Sequence, residues 1–158
     1  MKIAHWTMGN KSGMHRVAES ISKAERELGV DSILVNLDNP AEYVNGDNAN
    51  IHVSHTHLPK VYERRKKGQK IVWLGHGVPE HVFASAVEKG LNAGYAAGDA
   101  FMLNQFWLQQ SDAIVTNWPR HAKLYESWTD RNTVVNLIPL GIDLDFFKPI
   151  PSQGKYVG

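Results

Sequence analysis

The sequence contains no cysteine in its 158 residues. That excludes disulfide staples, thiolate metal sites and cysteine nucleophiles, and it fits a reducing compartment. Net charge is also lacking: 17 Lys and Arg stand against 16 Asp and Glu, a formal +1. A dedicated nucleic-acid binder needs a strong basic field, so nucleic acid is excluded as a partner. No apolar run approaches the roughly 20 residues of a membrane span. The opening residues, Met1-Lys2-Ile3-Ala4-His5-Trp6, are too short and polar a run for a secretory signal. The expected location is cytoplasmic, with peripheral contact on the inner membrane face left open. Repeats and low-complexity stretches are absent as well. What is present is ordinary for one globular domain: 42% hydrophobic and 21% charged residues.

Short apolar runs alternate with helical patterns. Ile3 to Trp6 reads as a strand, followed by a glycine loop from Thr7 to Gly13. Met14, Val17, Ala18, Ile21, Ala24 and Leu28 then recur at i, i+3, i+4 and i+7, one apolar helix face with Gly29 as its stop. Further strands are expected at Ser32–Val35, Ile51–Ser54, Lys70–Leu74, Ala113–Thr116 and Thr133–Ile138. Asp38 to Asn50 reads as a loop, Lys60 to Lys67 as a short basic helix, and 80–92 and 99–110 as helices. Asn117 is the expected cap of a helix carrying Pro119 in its first turn. Six strands alternating with helices imply an α/β fold with a parallel sheet covered on both faces. Such sheets bind ligands beyond the carboxyl ends of their strands. The loops that matter are therefore 7–13, 36–48, 55–59, 75–80, 117–120 and 139–145.

Several residues on these loops carry chemistry. Thr7-Met8-Gly9-Asn10-Lys11-Ser12-Gly13 follows a strand and opens a helix, where exposed amides attract phosphate. Neither the Walker pattern nor GxGxxG is present, so the loop is equally a plain tight turn. His52, His55 and His57 lie close together. On a strand His55 and His57 share a face and His52 takes the other, so all three bind one zinc only if the chain turns after Ser54. No carboxylate neighbours them in sequence to orient the rings. His76, between Gly75 and Gly77 at a strand end, is placed either to donate or shuttle protons or merely to hydrogen-bond a neighbouring loop. Lys60, Arg64, Arg65, Lys66, Lys67 and Lys70 form a basic run: a solvated helix face, or a contact for anionic lipid or phosphate. Trp73, Trp107, Trp118 and Trp128 read as core or interface anchors.

Taken in order, these stretches resemble the N-terminal half of a GT-B-fold retaining glycosyltransferase of family four. The glycine loop resembles that family's donor-phosphate loop. Asn50-Ile51-His52-Val53-Ser54-His55 resembles its D-x-V-H-x-H stretch, with Asn50 in place of Asp. The strand from Lys70 to Gly75 and the His76-Gly77 turn resemble its strand ending in HG or HD. Ser111 to Asn117 is similar to A-D-x-V-I-A-x-S, with Asn117 replacing Ser. Val135 to Pro149 resembles V-I-P-N-G-V-D-x-x-x-F-x-P, with Leu140 where Asn is usual.

The resemblance implies a Rossmann-like doubly wound parallel sheet over residues 1–149, the acceptor-side domain. Residues 150–158 would begin a linker to a C-terminal donor-binding domain, in the same chain or a second subunit. It implies transfer of a sugar from a nucleotide-diphosphate sugar to a carbohydrate, lipid or small-molecule acceptor hydroxyl, with little turnover by this domain alone. His76 would be the catalytic residue, orienting the donor sugar. Ser12, Gly13 and Met14 would bind the donor phosphate. Thr7, Lys11, His55, His57 and Asn117 would line the acceptor cleft, and Pro139, Gly141 and Asp143 would form the interdomain hinge. No metal and no cofactor beyond the donor is expected. Two other readings stand beside it: a non-catalytic Rossmann-like interaction subunit using the basic run, and a metal hydrolase built on His52, His55 and His57.

Overall fold

The computed structural model describes residues 1–9, 12–55, 59–76, 106–129, 133–139 and 141. Six strands, β1 (Lys2–Thr7), β2 (Asp31–Asn36), β3 (Ile51–His55), β4 (Lys70–Gly75), β5 (Ala113–Thr116) and β6 (Val134–Leu137), form one sheet. All pairings are parallel and the order is β2-β1-β3-β4-β5-β6. The expected α/β, Rossmann-like arrangement is therefore observed. Helix α1 (Gly13–Glu27) leads from β1 out to β2. The chain then crosses back past β1, with α2 (Tyr43–Asp47), α3 (Pro59–Glu63) and α4 (Pro119–Trp128) on the other face. Right-handed crossovers demand this split, because reversing direction along the sheet reverses the face that is covered.

Strand alternation sorts the side chains. Ala4, Trp6, Val35, Ile71, Trp73 and Ile114 face α2, α3 and α4 and pack with Val61, Tyr62, Leu108 and Tyr125 into the main core. Each such large apolar side chain contributes about 1.5–3 kcal/mol on burial. The Trp6 indole, a donor only, gives its Nε1–H to His52 Nδ1 at 3.0 Å, which satisfies the one polar atom that Trp6 brings into this core. Ile3, His5 and Thr7 point the other way, toward α1.

Three local expectations are corrected. The Asp38–Asn50 stretch is not all loop: it holds a 3-10 turn (Pro40–Glu42) and α2. Asn39 caps the turn, and Gly46 lies so close to Trp6 that a Cβ there would sit 2.5 Å from the indole. The basic helix ends at Glu63 rather than Lys67. The cap of α4 is Trp118, without a side-chain bond, and not Asn117.

The stripe on α1 also rotates. Ala18 is buried as expected, but Leu28 is 82% exposed. Ser22 is buried instead, its hydroxyl joined to Ser32 Oγ at 2.8 Å and to Arg26 at 2.7 Å. The helix stops where expected. Gly29 adopts φ +82, its N–H reaches Arg26 O, and the Val30 N–H reaches Glu25 O. The helix expected at 80–92 lies outside the described residues, as do residues 99–105 of the helix expected at 99–110; residues 106–109 are helical. No helix among the described residues is long and apolar enough to cross a membrane.

Candidate functional site

The strand order reverses between β1 and β3, which opens a crevice at their carboxyl ends. Three strands deliver histidines to the α1 side of this crevice. His5 comes from β1, His55 ends β3, and His76 directly follows β4. His5 lies level with Val53, two residues before His55. Its ring therefore meets His55 diagonally, and His55 in turn meets His76 one strand on.

The rings are joined end to end. His5 Nδ1 lies 3.0 Å from His55 Nε2, and His55 Nδ1 lies 2.8 Å from His76 Nε2. The His55 and His76 rings stack with centroids 5.0 Å apart. At the far end His5 Nε2 is 2.8 Å from Glu25 Oε2 of α1. Burial lowers the pKa of His5, although the Glu25 carboxylate pulls it upward. Burial also drives His55 down to about 2, with His5, His76 and His15 nearby adding to the effect. His76 is lowered by burial alone. The rings are therefore neutral near pH 7, and the Glu25–His5 contact is a hydrogen bond to a neutral ring.

Sequence reasoning missed His5 and Glu25. Both left a signal. His5 is the one polar residue between Ile3 and Trp6 in a run that reads as a buried strand. Glu25 follows Ile21 by four and Ala18 by seven, which places a carboxylate on the sheet-facing side of α1.

Beside the histidines stands the amino end of α1. The Ser12 hydroxyl accepts from the His15 N–H at 3.1 Å and donates to Met8 O at 3.1 Å. Ser12 is thus a helix cap, and Gly13 and Met14 are the residues whose N–H groups have no acceptor within the helix. Gly9, at φ +70, gives its N–H to Asp38 at 2.8 Å, tying this loop to the one after β2. Thr7 is buried, and its hydroxyl lies 3.0 Å from His15 Nδ1, so it reaches the crevice only through that ring.

His76, Thr116, Asn117, Pro139 and Gly141 line one end of a largely apolar cleft of about 610 Å³ that runs along the α1 face of the sheet. His55 lies at 0% exposure behind His76, with both ring nitrogens engaged. Lys11, His57 and Asp143 lie outside the described residues. Of the four tryptophans expected as core or interface anchors, Trp73 is buried and Trp107 packs on Tyr62. Trp128 packs on Tyr125, whereas Trp118 is 60% exposed next to Asn117.

Two of the competing readings meet specific geometry. β3 continues through His55, so the chain does not turn after Ser54, and His52 faces the opposite side of the sheet with Trp6. One ion bound by both His52 and His55 is thereby ruled out. In the basic run, Arg64 pairs with Asp47 and lies over the Tyr43 ring. Arg65 and Lys70 both pair with Asp112. Burial alone would raise the Asp112 pKa, but bonds from Lys70 and the Ile71 N–H and the Arg65 charge bring it below the usual carboxylate range. Three of the six cations thus hold the molecule together at the amino ends of the strands, away from the crevice. No protein-family model matches the chain, and no curated protein matches it.

Proposed function

We propose that this rim is the acceptor-side wall of a sugar-transfer cleft, and that the reaction moves a sugar from a nucleotide-diphosphate sugar to an acceptor hydroxyl with retention at the anomeric carbon. The observation that carries the reading is one of placement. The Ser12–Met14 turn follows β1, His76 follows β4, and both lie at the carboxyl edge of the same sheet. Two inter-strand spacings separate those strands, about 10 Å, which is the scale of a sugar diphosphate. The order of the motifs along the chain supports the same reading.

In this reading the Gly13 and Met14 amides face the diphosphate. Negative charge grows there as the glycosidic bond to the donor breaks, and preorganised N–H groups stabilise it. His76 orients the sugar and forms no covalent bond to it. A second lobe, in the same chain or a partner, closes over the rim with the nucleotide pocket.

The test is an amide and imidazole NMR titration with a panel of nucleoside-diphosphate hexoses covering the common bases. Joint shifts at Gly13, Met14 and His76 with one member of the panel are expected. A panel that leaves all three unmoved overturns the reading.

A further inference from the structure

We propose that Glu25, His5 and His55 form one directional hydrogen-bond chain whose carboxylate end fixes the tautomer of His76 and leaves its Nδ1 as a lone-pair acceptor. The inference deepens the reading above by naming the chemistry at one point of the site. Its test uses the unliganded protein, so either idea can fail without the other.

Three contacts in series fix the protons. A carboxylate only accepts, so the proton in the 2.8 Å contact between Glu25 and His5 belongs to His5 Nε2. A neutral imidazole carries one N–H, so His5 Nδ1 accepts. The proton in the 3.0 Å contact then belongs to His55 Nε2. His55 Nδ1 must accept in its turn, and the 2.8 Å contact takes its proton from His76 Nε2. That leaves His76 with an unprotonated Nδ1 on a part-buried ring at the cleft. The opposite polarity requires a charged His5 or a donor in place of Glu25. Burial disfavours the first, since His5 and His55 are at 1% and 0% exposure.

The consequence is chemical selectivity. A lone pair at Nδ1 takes a ligand O–H or N–H and offers nothing to a carbonyl or ether oxygen. A free histidine at the same place would serve either. Glu25 makes no contact with His76 in this arrangement, so it is a positioning residue rather than a catalytic one.

The tautomers are read directly by imidazole ¹⁵N NMR, including N–N couplings across the two His–His hydrogen bonds. In the native protein the protons are expected on His55 Nε2 and His76 Nε2. A charge-assisted bond to carboxylate holds the opposite polarity below roughly one part in ten. Protons found on His5 Nδ1 and His55 Nδ1 overturn the proposal. Glu25→Lys puts a donor at the end of the chain and should reverse both protons. Should that variant not fold, Glu25→Ala removes the carboxylate and should average the two polarities. A folded Glu25→Lys or Glu25→Ala protein that keeps the native polarity unchanged overturns the role of Glu25.

Discussion

The Tyr125 hydroxyl fills the space that a side chain on Gly75 would need. A Cβ built on Gly75 would lie 2.8 Å from that oxygen and 3.1 Å from the ring. Tyr125 is itself 1% exposed, with its pKa pushed up to about 12 by burial, so it has little room to yield. This contact fixes the end of β4 one residue before His76. Gly75→Ala should therefore destabilise the protein by about 1–3 kcal/mol through overpacking. Tyr125→Phe removes the nearest atom, so the double variant should recover part of that loss. Urea unfolding of the four-member cycle checks this, and strict additivity of the two substitutions would refute the contact as the cause.

The cap of α1 offers a second measurement. The Ser12 hydroxyl satisfies the His15 N–H and ties the helix to Met8. Ser12→Ala should cost about 1 kcal/mol, visible as a lower thermal midpoint. Ser12→Asp, which retains an acceptor at the cap, should recover most of that. Equal losses for both variants would mean that the hydroxyl does not act as a cap.

Acid should destabilise this fold from near pH 6.5 downward. His5, His52 and His55 are buried, with pKa values lowered chiefly by desolvation. In the unfolded chain they protonate near 6.5, while the native state keeps them neutral. Below that pH the unfolded state binds more protons, so stability is complete above 6.5 and declines as pH falls. Each ring that stays neutral costs about 1.4 kcal/mol per pH unit. Asp112, whose folded pKa is depressed, adds a further loss where carboxylates titrate. Urea midpoints should be level between pH 7 and 8 and fall steadily from pH 6.5 to 5. His55→Gln should reduce that slope by about one proton; a flat profile in the native protein would contradict neutral burial.

The sheet was legible because its strands are short apolar runs, each closed by a turn or polar residue. Each of the six observed strands falls within two residues of its expected bounds. Local chemistry was less legible where a side chain answers to a distant partner. Ser22 is buried on α1 because Ser32, ten residues on, meets its hydroxyl. The α2 segment, rich in Asn, Gly and Asp, looks like a loop until Trp6 supplies the surface that Gly46 packs on. The histidine chain joins residues 20, 50 and 21 positions apart, so spacing along the sequence carries no trace of it. His55 and His76 were visible singly. What makes them a site is a carboxylate on α1, whose spacing from Ala18 and Ile21 sets it toward the sheet without naming the ring it meets.

Gly13 separates fold from function most cleanly. A Cβ at this position meets nothing within 4 Å, and its φ lies outside the left-handed region. Gly13 is exposed in the first turn of α1, so Gly13→Val should leave thermal stability within about 0.5 kcal/mol, as exposed substitutions usually do. If a diphosphate approaches the Gly13 and Met14 amides, the valine side chain stands in its way. Donor affinity in the titration should then fall about tenfold or more, with His76 and Glu25 untouched. His76→Ala should behave differently, leaving the Gly13 and Met14 amide shifts in place while weakening contacts to the sugar. A Gly13→Val protein that binds the nucleoside-diphosphate sugar with native affinity would remove the α1 turn from the site, whatever His76 does.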